Sequence, residues 1–205
     1  MQALFSVLFT AAFQFDPLKT ARIKLKVYFC LPLKNIDVDI RKELLKEHSK
    51  SNANRIARYI SNDPTRFDVL MKLFLSNEYR VTQRAAQVVS MCAENHPGLI
   101  RPYLKQMILN LRNDVHDAVK RNTLRILQDI ELQENLQGDM TDIGFQLLTS
   151  AREPVAVKVF AMTVLANICK KEPDLKNELQ IIIEDQMPYA SAGFISRGNK
   201  ILKRL

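Results

Sequence analysis

Three cysteines, three histidines and a pair of adjacent carboxylates are the side chains of this sequence best suited to chemistry. Cys30, Cys92 and Cys169 are odd in number and far apart, with no C-x-x-C pair. That spacing suits neither a disulfide framework nor a structural zinc site, and it fits a reducing, cytoplasmic setting. His48, His96 and His116 are equally scattered, so neither a metal nor a cofactor is inferred. There is no phosphate-binding Gly loop, G-x-S-x-G or H-E-x-x-H, the arrangements that would supply a nucleotide site, a nucleophile or a catalytic zinc. Cys92 and Cys169 fall on or beside apolar stripes, where they read as core fillers. His116, between Val115 and Asp117 near a helix start, reads as a solvated loop histidine. Glu184-Asp185 reads as a polar turn before Pro188, and Ser191-Ala192-Gly193 as the turn into the last helix, with Tyr189 exposed beside it. Nothing in these residues points to an enzyme or to a small-molecule substrate.

The elements that would carry these residues are regular. From Val81 the chain matches itself at a period of 37–38 residues. Windows starting at Val81, Val119, Val157 and Phe194 have apolar or small residues at offsets 0, 4, 7, 8 and 11. The first gives Val81, Ala85, Val88, Val89 and Cys92; the second gives Val119, Thr123, Ile126, Leu127 and Ile130. Val157, Ala161, Val164, Leu165 and Ile168 follow, then Phe194, Gly198, Ile201, Leu202 and Leu205. These offsets put five side chains on one stripe of an α-helix. The fourth offset holds only Ala, Thr, Ala and Gly, which lets a neighbouring helix come close.

A second amphipathic helix is predicted before each of these. Phe67, Leu70, Met71 and Phe74 make one stripe, and Leu104, Met107, Ile108 and Leu111 another. Met140, Ile143 and Leu147 repeat it, followed by Leu175, Leu179 and Ile182. Pro64, Pro97 and Pro173 open three of these helices, where a missing N–H costs little, and Asp63 is placed to cap the first. Turns such as Ser76-Asn77, Asn113-Asp114 and Ser150–Glu153 separate the two helices of a pair. Ile56, Tyr59 and Ile60 suit a half-repeat capping the N-terminal end. The predicted fold is all-α: an α-α superhelix of about four helix pairs plus an N-terminal capping helix, over residues 37–205.

Residues 1–36 do not share the pattern. Met1–Phe15 is uncharged and Phe-rich, but shorter than the roughly 20 residues that span a bilayer as a helix. It lacks the basic start of a signal peptide, so neither membrane association nor secretion is expected. Val38 to Leu45, with Asp39 as cap, reads like a natural helical start, and initiation at Val38 is one reading of the segment. Of the formal charge of +8, residues 1–35 carry +4, from Lys19, Arg22, Lys24, Lys26 and Lys34 against Asp16. What remains is a mildly basic domain in which both signs are interspersed along the chain.

Two-helix units of this length resemble the HEAT-repeat (armadillo-like) α-solenoids, here through Val81-x-x-x-Ala85-x-x-Val88-Val89 and Val157-Lys158-x-x-Ala161-x-x-Val164-Leu165. The resemblance implies helix pairs stacked in series and motifs that specify packing, not chemistry. It also implies that the second helices line the concave face. Their polar positions there are Arg84, Asn122, Phe160 and Arg197 in one column, and Gln87, Arg125, Thr163 and Lys200 in another. Arg84, Gln87, Lys120, Arg121, Arg125, Lys158, Arg197 and Lys200 are therefore the candidate binding residues. The function expected is a non-catalytic protein-interaction scaffold, with another protein as partner. The alternative is a nucleic-acid-binding solenoid using the basic members of that set together with Arg55 and Arg58. It would be distantly similar to the HEAT-like alkylpurine DNA glycosylases, but without the tryptophans those enzymes use, since Trp is absent.

Overall fold

The computed structural model describes residues 38–76 and 78–205. The expectations for residues 1–37, the domain boundary at 36/37 included, and for Asn77 lie outside the described residues. Residues 39–205 form one compact unit. Ten α-helices follow one another in it, and no strand occurs among the described residues. They are α1 (Ile40–Lys46), α2 (Lys50–Ile60), α3 (Pro64–Phe74), α4 (Tyr79–Asn95) and α5 (Leu104–Asn110). Then come α6 (Asp117–Leu127), α7 (Glu134–Thr149), α8 (Val155–Ile168), α9 (Lys176–Gln186) and α10 (Ala192–Leu202).

The starts of the helices follow their capping residues. Asp39 accepts from the Lys42 amide at 3.0 Å and Ser49 from the Asn52 amide at 3.0 Å. The expected cap Asp63 accepts from Thr65 and Arg66 amides ahead of α3. Pro97 and Pro173 open 3-10 turns instead, so α5 and α9 begin several residues later, at Leu104 and Lys176. The N-terminal cap is a pair of helices, α1 and α2, where the sequence suggests one.

The pairs stack in two layers. The second helices touch each other in unbroken sequence, α2 on α4, α4 on α6, α6 on α8 and α8 on α10. First helices lie beside their partners, most closely α3 on α4 and α7 on α8, except that α5 packs on the next first helix, α7. The small column explains the close approach of the second helices. Ala85, Thr123 and Ala161 are fully buried, and Gly198 is buried too. A Cβ added at Gly198 would meet the Met187 methyl at 2.9 Å and Ile183 at 3.0 Å, so the missing side chain lets α10 sit close on α9 and the turn after it.

The first helices supply the bulk. Phe67, Leu70, Met71, Phe74 and Met140 are fully buried, and the stripe of Leu104, Met107, Ile108 and Leu111 is buried as expected. In α9 the buried positions are Leu179 and Ile183, while Leu175 and Ile182 are only half-buried. The core divides at α8. Val157, Ala161, Val164 and Ile168 join the larger cluster, and Met162, Leu165, Ala166 and Cys169 the smaller one with Phe194 and Ile201. Leu175 packs against both. That double duty explains why the sequence of α8 is apolar almost all round.

A candidate binding face on the second helices

The second helices expose one long face, and its charge is one-sided. Helices α2, α4, α6, α8 and α10 together carry eleven basic residues, among them Lys50, Arg80, Arg121 and Lys200, against Glu94 and Asp117 alone. The first helices carry seven basic and eight acidic residues. Counted along the chain the two signs look interspersed; counted by layer they separate. The separation was visible in the sequence, once each residue is assigned to its helix of the repeat.

The candidate binding residues divide into those bonded inward and those left free. The Arg84 guanidinium donates to the Leu44 carbonyl at 2.8 Å, tying α4 to α1. Arg197 donates to the Thr163 hydroxyl at 2.7 Å, tying α10 to α8. Lys158 donates to Gln186 at 3.0 Å. Lys120 pairs with Glu153 at 2.5 Å, with side chains only 13% and 10% exposed. These four are half-buried bridges between neighbouring pairs. Arg125 is exposed and pairs with Glu94 at 2.6 Å, a contact of small worth in solvent. Arg121 and Lys200 are exposed and make no ion pair among the described residues.

Gln87 and Arg121 meet in one groove of about 340 Å³ that crosses α4, α6 and the start of α8. It is lined by the apolar residues Ala118, Pro154, Ala156 and Val157 and by Gln83, Gln87, Arg121, Asp117, His48 and His116. Gln83, His48 and His116 were not expected there. The other candidate residues lie outside this groove.

His116 stands in the turn before α6, as expected, but is not freely solvated. It is half-buried, its Nδ1 accepts from the Ala118 amide at 2.9 Å as the cap of α6, and its ring lies 4.5 Å from that of Tyr79. Tyr189 is 93% exposed, as expected. The cysteines lie in the packed interior. Burial pushes the Cys92 thiol up to about 12 and the Cys169 thiol also upward, which disfavours the thiolate in both. Cys30 lies outside the described residues.

Helix pairs joined in series through contacts between neighbours define an α-solenoid. The sequence profile of the HEAT repeat domain family matches residues 40–205, and the chain belongs to that family. It is a helical-repeat scaffold, and no helix among the described residues is long and apolar enough to cross a membrane. No curated protein and no solved structure matches the chain.

Proposed function

We propose that the chain is a non-catalytic scaffold that presents the exposed face of its second helices to a protein partner. The observation that carries this reading is the division of labour on that face. Half of the candidate residues bridge one pair to the next, which ties neighbouring pairs together along the face. Gln87, Arg121 and Lys200 have no such task and stand open to a partner. A preformed face that loses little side-chain freedom on binding is what an interaction surface needs.

Affinity purification at native expression level tests the proposal, with wild-type chain compared against the Arg121→Glu, Lys200→Glu double variant. The expected result is a reproducible set of co-eluting proteins that the double variant loses. Identical sets for both chains would refute a role for this face.

The basic excess of the second-helix layer favours a second reading, contact with nucleic acid phosphates. Its test is duplex DNA binding across a salt series. Phosphate-driven affinity falls steeply with salt, roughly one factor of [salt] for each phosphate neutralised. Absence of binding even at low salt removes this reading.

A further inference from the structure

The groove across α4, α6 and α8 carries more information than the face as a whole. Gln83 and Gln87 stand one turn apart on α4, half-buried, and neither side-chain amide makes a hydrogen bond to any described residue. Arg121 stands on α6 on the same groove, exposed and without an ion-pair partner among the described residues. The same groove is lined by the apolar residues Ala118, Pro154, Ala156 and Val157. A half-buried amide without a protein partner is costly to cover unless its occupant returns the hydrogen bonds.

We propose that this groove binds an extended segment of a protein partner, with Gln83 and Gln87 on its main chain and Arg121 on one acidic side chain. The proposal rests on the scaffold reading and names the partner's local chemistry. The spacing fits. Residues four apart on a helix have Cβ atoms about 6 Å apart, and an extended chain repeats its same-side peptide groups about every 7 Å. A side-chain amide offers one acceptor and two donors, which matches a main-chain N–H and C=O together. A guanidinium offers two parallel donors to a carboxylate.

Charge decides against a polyanion in this groove. DNA presents one negative charge per about 1.7 Å of axis, so a phosphate track needs cations in a row. The groove offers one arginine, and the exposed carboxylate of Asp117 lines it too. Asp117 would repel a continuous phosphate backbone, whereas a peptide with one acidic residue among neutral ones meets Arg121 and can avoid Asp117.

The test is selection of a random twelve-residue peptide library, displayed on phage, against the full chain. The expected peptides carry Asp or Glu at one fixed position among neutral residues. Selection against the Arg121→Glu chain replaces that acid with Lys or Arg. A synthetic peptide from the wild-type selection loses about ten-fold or more in affinity for Arg121→Ala. It loses about as much for the Gln83→Ala, Gln87→Ala double variant, while Arg121→Lys keeps part of its affinity. The salt dependence is shallow, with a slope near that of a single charge. Circular dichroism melts show whether each variant retains the wild-type fold, which the exposure of Arg121 favours.

Peptides that bind every groove variant as well as wild type overturn the groove assignment and leave the scaffold reading standing. A selection that enriches nothing overturns it as well. If in addition a 20-base-pair duplex binds and Arg121→Glu abolishes that binding, the scaffold reading falls with it.

Discussion

The two helix layers solve different problems with different residues. The first helices fill the interior with Phe67, Met71, Phe74, Met107 and Met140, whereas the second helices combine large residues such as Ile60, Leu124, Met162 and Phe194 with the small ones Ala85, Ala86, Ala161 and Gly198. Small residues let second helices pack directly on one another, so their backbones form a continuous wall. The same wall holds nearly all the uncompensated positive charge of the helices. In this fold the layer whose helices pack directly on one another also carries the candidate contacts. A partner at that wall therefore meets a surface whose shape is set by the small column beneath it.

Phe67→Ala should break the comparison most heavily on the first-layer side. Phe67 is fully buried and meets Tyr103 edge to face with ring centroids 5.7 Å apart. Losing it should cost about 3–5 kcal/mol, read as a lowered denaturant midpoint with an unchanged slope. The second-layer counterpart is Lys120→Ala. It leaves Glu153, 10% exposed, with neither oxygen paired, because Oε2 already lacks a partner. The expected cost is about 3 kcal/mol, and Lys120→Met with Glu153→Leu should restore most of it. If Lys120→Ala is silent in stability, the division of this face into bridging and free cations is wrong.

The helix stripes were legible because a 3.6-residue period is a local property. Offsets 0, 4 and 7 hold in every copy, each residue there being buried. The eleventh offset does not: α6 ends at Leu127, so Ile130 is a half-buried turn residue, and Leu205 lies beyond α10. The inward bonds of Arg84, Lys120, Lys158 and Arg197 were not legible. Their partners stand 40, 33, 28 and 34 residues away, about one repeat along the chain. Periodicity says which face a residue takes, but not which carbonyl or carboxylate the neighbouring repeat brings to it. The cap made by His116 was missed for a different reason, since imidazole is a rarer cap than Ser, Thr, Asp or Asn.

Smaller effects sharpen the contrast. Thr123 is the one polar member of the small column, fully buried, and its hydroxyl has no partner. Thr123→Val keeps the shape and removes an unsatisfied group, so stability should rise by about 1 kcal/mol. A fall in the melting temperature would mean that the hydroxyl is satisfied in solution.

Acid should act on the first-layer side with the smallest effect. Hydrogen bonds from Lys72 and then Tyr103 hold the Asp68 carboxyl of α3 below its usual range. The Lys42 amide does the same for Asp39 at the cap of α1, and Lys46 and Arg55 for Glu43 within it. A carboxyl held low in the folded chain contributes stability above its unfolded value near pH 4, and that contribution is lost as pH falls through the folded value. The denaturation midpoint should therefore decline as pH drops below about 4. Asp68→Asn keeps an acceptor for the Tyr103 hydroxyl, 2.9 Å away, while removing the titrating charge. Its acid decline should be shallower than that of wild type. The loosening should appear first as faster amide exchange in α1 and α3, because three of the four depressed carboxyls lie at or in those helices, the fourth being Glu131 in the turn after α6, held low by Lys171. If exchange instead quickens first in α6 and α8, the acid response belongs to the wall and not to the layer behind it.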